Sequence, residues 1–163
     1  MPSNPLITGD TLKPFQVQTT GTPPTLTEKD LQNQWTVLYF YPRDDTPGCT
    51  VEANDFTALA ADFGSLNAKV IGVSADTLAS HDKFINKHNL NLTLISDADK
   101  SFCNLFGAIV EKNMYGRKYM GIDRCTFLIN PELQIVAEWR KVKAKGHAAK
   151  VLETLQDKAQ DSA

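Results

Sequence analysis

The sequence predicts an α/β fold in which a mixed central sheet is flanked by helices on both faces. Three observations predict it. Residues 36–41 and 70–74 are nearly all apolar and rich in β-branched or aromatic side chains, as strands buried on both faces are. Segments with apolar residues at helical spacing alternate with these runs. The last third of the chain closes with two strand-like runs joined by a turn, followed by one more amphipathic helix.

Taken in order, Phe15 and Val17 alternate with polar neighbours and read as a short strand. Thr27-Glu28-Lys29-Asp30 has cap chemistry and opens one helical turn. The strand at 36–41 stops at Pro42, and 43–48 is a loop by composition. From Cys49 a helix fits, because Phe56, Leu59, Ala60 and Phe63 recur at its spacing, with Gly64 as its stop. The second central strand, 70–74, leads to a helix over 80–88 with Phe84, Ile85 and His88 on one stripe, then a short strand at 92–95. Asp97 or Asp99 caps a helix carrying Phe102, Leu105 and Phe106, which Gly107 ends. A polar stretch containing Gly116 and Gly121 precedes the strand at 126–129. Asn130-Pro131-Glu132 turns the chain, and 135–139 pairs back as a hairpin. The final helix starts at His147 and buries Val151, Leu152 and Leu155. A βαβ unit followed by ββα is the thioredoxin-like arrangement.

Bulk properties narrow the function. A chain of 163 residues that is 42% hydrophobic suits a single domain spanning 1–163. A net charge of −2 gives no reason to expect capture of nucleic acid or of an anionic membrane. No apolar run reaches bilayer-spanning length. The start, Met1-Pro2-Ser3-Asn4-Pro5, lacks the basic and apolar regions of a signal peptide, so the expected location is cytoplasmic. The three cysteines, Cys49, Cys103 and Cys125, are too far apart for a disulfide framework or a zinc site, and neither a metal nor a cofactor is expected.

The chemically informative segment is Tyr39-Phe40-Tyr41-Pro42-Arg43-Asp44-Asp45-Thr46-Pro47-Gly48-Cys49-Thr50-Val51-Glu52. A buried strand delivers the chain to one edge of the sheet, a proline-rich loop holds its shape, and Cys49 falls in the first turn of a helix. Unpaired amides and the helix dipole stabilise a thiolate there, and a nearby cation adds to them. Position alone leaves open the alternative that Cys49 is a small buried hydrophobe.

The segment resembles the peroxiredoxin signature Pro-x-x-x-Thr-x-x-Cys, here Pro42, Thr46 and Cys49. The fuller string is similar to the branch called bacterioferritin comigratory protein or peroxiredoxin Q. Three further stretches carry the likeness: Arg124-Cys125-Thr126-Phe127-Leu128-Ile129, residues 112–122 and residues 142–147. The resemblance implies that Cys49 is the peroxidatic nucleophile. Arg124 would stabilise its thiolate and polarise the peroxide. Thr46 would hydrogen-bond both thiolate and peroxide, while Pro42 shapes and shields the pocket. Amides near Gly48 and Cys49 would hold the peroxide oxygens. Glu52, one turn after Cys49, either orients Arg124 or is a solvated carboxylate. Tyr41, Phe56, Phe84 and Trp139 read as core or pocket wall, and His81, His88 and His147 receive no role.

The chain departs from the branch at the resolving cysteine, since Asn54 and Ile85 stand where relatives carry it. An external thiol is the first expectation for resolution. Cys103 is the second, after local unfolding of its helix. Cys125 should face away from Arg124, because neighbours on a strand point to opposite faces. The implied activity is thiol-dependent reduction of small hydroperoxides by a monomer, with thioredoxin or another thiol as reductant. Two rivals are a thiol–disulfide oxidoreductase, which lacks its usual Cys-x-x-Cys here, and a redox sensor or holdase that uses Cys49 oxidation without turnover.

Overall fold

The computed structural model describes residues 5–161. Among them the elements run β1 (Gln16–Thr19), β2 (Thr25–Thr27), a 3-10 turn (Glu28–Leu31), β3 (Trp35–Phe40), α1 (Pro47–Ala58), α2 (Ala60–Ser65), β4 (Ala68–Ser74), α3 (Leu78–His88) and β5 (Thr93–Ser96). They continue with α4 (Ser101–Leu105), β6 (Ile109–Met114), β7 (Arg117–Ile122), β8 (Cys125–Ile129), β9 (Ile135–Trp139) and α5 (His147–Asp161). Seven strands form one sheet in the order β2-β1-β5-β4-β3-β8-β9. Its centre is parallel (β3 with β4, β4 with β5), and the flanking pairs are antiparallel, so the sheet is mixed. This is the thioredoxin-like fold that the element order predicts. Among the described residues no helix is long and apolar enough to cross a membrane.

Every residue of β3 is buried, because helices cover both faces of the central strand. Alternation then divides the core in two. Leu38 and Phe40 join Phe102, Cys103, Phe106, Cys125 and Phe127 on one face. Val37, Tyr39 and Tyr41 join Cys49, Phe56, Phe63, Phe84, Val151 and Leu155 on the other. So α1, α2, α3 and α5 cover one face, and α4 packs on the other.

Several boundaries differ from expectation. The first helix begins at Pro47, whose ring presets the backbone for a first helical position, rather than at Cys49. It breaks at Leu59 into α1 and α2, and α2 runs on to Ser65, past Gly64. Both candidate caps of α4 act. The Asp97 carboxylate accepts from the Phe102 and Cys103 amides (3.1 and 2.7 Å), and Asp99 accepts from Ser101 (2.9 Å). The stretch read only as polar is a hairpin, β6–β7, whose turn residues Tyr115 and Gly116 both have positive φ (54° and 79°). The three-residue β2, paired to β1, is a further strand absent from the sequence reading.

Candidate active site

Strand pairing brings the two halves of the site together. In the β3–β8 register Phe40 faces Cys125, so Arg124 lies just beyond β8 at the edge where β3 hands the chain to α1. Pro47 and Gly48 are the first two residues of α1 and Cys49 the third, within the turn whose amides have no intrahelical acceptors. Cys49 is 1% exposed. Its Sγ lies 3.3 Å from Arg124 Nη2, and Arg124 Nη1 donates to Glu52 Oε1 at 2.7 Å. Glu52 is fully buried, not solvated, although it lies near a helix start.

The electrostatics follow from this row of three groups. Burial pushes the Glu52 carboxyl up to about 7, although Arg124 pulls it down. Its second oxygen, Oε2, is buried without a hydrogen-bond partner. Burial lowers the Arg124 guanidinium, but Glu52 and Cys49 outweigh that and hold it above its ordinary value. Gly48 leaves room for the guanidinium, because a Cβ there would stand 3.0 Å from Arg124 Nη2.

Thr46 is the N-cap of α1, yet its hydroxyl does not cap. It donates to the Arg43 carbonyl at 3.0 Å, so its proton is directed there rather than to the Cys49 sulfur. Its lone pairs remain able to accept. Pro42, Arg43 and Thr46 form one wall of a cleft of about 570 Å³, and Met114, Tyr119 and Met120 of the β6–β7 hairpin form another.

Cys49, Arg124, Glu52 and Gly48 thus meet, with Thr46 and Pro42 on the adjoining cleft. Cys103 does not join them. It is fully buried in the core of the opposite face, where burial and then Asp97 raise its thiol above the usual range. Cys125 lies in that same core, facing away from the site, and burial pushes its thiol to about 12.

Sequence reasoning passed over a second cluster, directly behind the loop. His81, fully buried on α3, places Nδ1 2.7 Å from Asp44 Oδ2 and Nε2 2.9 Å from the Ile95 carbonyl. Tyr41 donates its phenol to Asp44 Oδ1 (2.6 Å) and Ser80 its hydroxyl to Oδ2 (2.8 Å). Burial alone would raise the Asp44 carboxyl; hydrogen bonds from His81, Tyr41 and Ser80 instead hold it below the usual carboxylate range. Asp44, Asp76 and His81 bring possible metal-ligand atoms within 4.8 Å of one another. Hydrogen bonds within the protein already engage both Asp44 oxygens, both His81 nitrogens and Asp76 Oδ2. His147, also without a role in the sequence reading, contacts the Thr126 hydroxyl at 2.7 Å, and burial lowers its imidazole to about 4.

Comparison with known proteins places this geometry. Peroxiredoxin Bcp of Xanthomonas campestris pv. campestris is 52% identical over 121 residues, 74% of this chain and 76% of that one. Peroxiredoxin Bcp of Bacillus subtilis is 47% identical over 128 residues, 78% and 82% of the two chains. A solved structure of the Xanthomonas campestris bacterioferritin comigratory protein, studied for its alkyl peroxide reduction activity, superposes with a TM-score of 0.84 at 45% identity, covering 89% of this chain and 92% of that one. A cysteine-to-serine variant of Xylella fastidiosa PrxQ gives 0.90 at 42% identity, covering 96% and 99%. The AhpC/TSA family model matches residues 8–138, which contain the cysteine, the arginine and the loop before the helix. The chain therefore belongs to the AhpC/TSA family, as a peroxiredoxin of the Bcp/Q branch.

Proposed function

We propose that this protein is a thiol-dependent peroxidase that reduces hydrogen peroxide and organic hydroperoxides through Cys49. The observation that carries the reading is the guanidinium of Arg124, 3.3 Å from the sulfur and fixed on its other side by buried Glu52. A fixed cation beside a helix-start cysteine favours the anionic nucleophile and stabilises charge moving onto the peroxide.

In the first step the Cys49 thiolate attacks the terminal oxygen of the hydroperoxide. An S–O bond forms, the O–O bond breaks, and the leaving alkoxide or hydroxide takes up a proton to give alcohol or water. The sulfur is left as a sulfenic acid, oxidised by two electrons. Thr46 accepts a hydrogen bond from the substrate O–H, since its own hydrogen is given to Arg43. Amides of the first helical turn and Arg124 hold the oxygens. A reducing thiol then condenses with the sulfenic acid, releasing water and forming a mixed disulfide. A second thiolate exchanges with that disulfide and returns Cys49. Because Cys103 and Cys125 lie in the opposite core, the reading assigns the reducing thiol to another molecule. Thioredoxin is the reductant proposed, acting on a monomer of one domain in the cytoplasm.

The test is steady-state peroxide consumption with dithiothreitol or thioredoxin. Turnover by the wild type and none by Cys49→Ser supports the reading. A single equivalent of oxidation with every thiol reductant sinks it.

A further inference from the structure

The Thr46 hydroxyl hydrogen is given to a backbone carbonyl, and one peptide plane sets that direction. The carbonyl that receives the Thr46 hydrogen belongs to Arg43. The amide on the opposite side of the same peptide belongs to Asp44, and it donates to Asp76 Oδ2 at 2.8 Å. The peptide is planar and trans, so its N–H and C=O point in opposite directions. Whatever holds the N–H therefore aims the C=O.

Asp76 follows the end of β4 and is itself held. Its Oδ2 also accepts from the Ser74 hydroxyl at 2.6 Å, its backbone N–H donates to Ser74 Oγ at 3.2 Å, and its carbonyl accepts from Ser96 Oγ of β5 at 2.7 Å. The Asp44 side chain is fixed independently from α3 by His81 and Ser80, and by Tyr41. The carbonyl of Ile95 can only accept, so His81 Nε2 carries a hydrogen, which keeps the ring tied to β5 as well as to Asp44. Asp44, two residues before Thr46, is thus anchored through its amide to Asp76, just after β4, and through its carboxylate to α3.

We propose that Asp76 is a positioning residue for the peroxidase reaction: by holding the Arg43–Asp44 peptide plane it keeps the Thr46 hydroxyl hydrogen on the Arg43 carbonyl and leaves the Thr46 oxygen as an acceptor toward substrate. Asp44 and His81 support the same plane from the other side. Without the Asp76 oxygen the Asp44 amide loses its acceptor, the plane is held from one side only, and the carbonyl that receives the Thr46 hydrogen is aimed less firmly. This inference rests on the reading of Cys49 as the peroxide-reducing nucleophile.

A double-mutant cycle tests it. Second-order oxidation of Cys49 by hydrogen peroxide is followed by stopped flow, beside alkylation of Cys49 by iodoacetamide, which needs the thiolate but not Thr46. Asp76→Ala should slow the peroxide reaction on the order of tenfold and Thr46→Val about 100-fold, in line with losing one preorganised group. The double variant should be no slower than Thr46→Val alone, and alkylation should change less than twofold. Asp76→Asn, which keeps an acceptor oxygen, should bring the rate back to within about threefold of wild type. Should Asp76→Ala not fold, Ser74→Ala, which removes the second donor on Asp76 Oδ2, replaces it in the cycle with a loss of about threefold expected.

Multiplicative effects of Asp76→Ala and Thr46→Val would overturn the proposal, as would a fall in alkylation matching the fall in peroxide rate. A wild type whose Cys49 does not react with peroxide would instead sink the functional reading on which it rests.

Discussion

Arg124 reaches Cys49 and Glu52 with different nitrogens of one guanidinium, Nη2 toward the sulfur at 3.3 Å and Nη1 to the carboxylate at 2.7 Å. A lysine has a single charged nitrogen and cannot occupy both positions from one planar group. Arg124→Lys should therefore lower the peroxide rate constant about 100-fold. Stopped-flow oxidation checks it; a loss under threefold would mean that charge alone suffices.

Gly48 approaches the same guanidinium. The missing side chain matters for its absence of a Cβ, which would sit 3.0 Å from Nη2. Gly48→Ala should displace the arginine and slow peroxide reduction on the order of tenfold. Its melting temperature should stay near that of wild type, because alanine is well tolerated in a helix.

The raised Glu52 carboxyl predicts how stability depends on pH. Its folded value of about 7 exceeds the ordinary 4.5, with burial as the main cause. Its contribution is then fully present below about pH 4.5 and is lost as pH rises through 7. Urea unfolding at pH 5 and pH 8 should show wild type losing more stability across that window than Glu52→Gln. Equal losses would contradict the burial effect.

Tyr39 carries a phenol that is buried without a partner, stacked on Phe56 at 4.8 Å. Removing an unsatisfied buried hydroxyl relieves its desolvation cost. Tyr39→Phe should stabilise the fold by about 1 kcal/mol, read from urea or thermal unfolding.

For Cys103 and Cys125 the expectation is indifference. Both thiols are raised by burial, and both lie across the sheet from Cys49. Cys103→Ala and Cys125→Ala should keep thiol-supported peroxide turnover within about twofold of wild type at temperatures where they remain folded. One equivalent of peroxide followed by mass spectrometry should find sulfenic acid on Cys49. A Cys49–Cys103 bridge would reverse this view.

The elements that carry the site were legible because local patterns determine them. An apolar run buried on both faces revealed β3, and the helical spacing of Phe56, Leu59, Ala60 and Phe63 placed the start of α1 at Cys49, within two residues of Pro47. The β6–β7 hairpin was not legible. Its strands are largely exposed, so no periodicity records them, and the positive φ at Tyr115 falls on a residue that rarely signals such a turn. Asp44, Asp76 and His81 escaped for a different reason. They are up to 37 residues apart in pairing, and only the parallel crossover of β3, β4 and α3 brings them behind one loop. Glu52 was half legible: spacing placed it one turn after Cys49, but only the β3–β8 register reveals that Arg124 is there to meet it.

The hydrogen of the Thr46 hydroxyl, committed to the Arg43 carbonyl, also draws a chemical boundary around what this pocket can use. An oxygen that can only receive must be offered a hydrogen by the molecule that enters. Hydroperoxides bring one. Dialkyl peroxides, with both ends capped by carbon, bring none, and would lie against Thr46 as an unmatched pair of lone pairs.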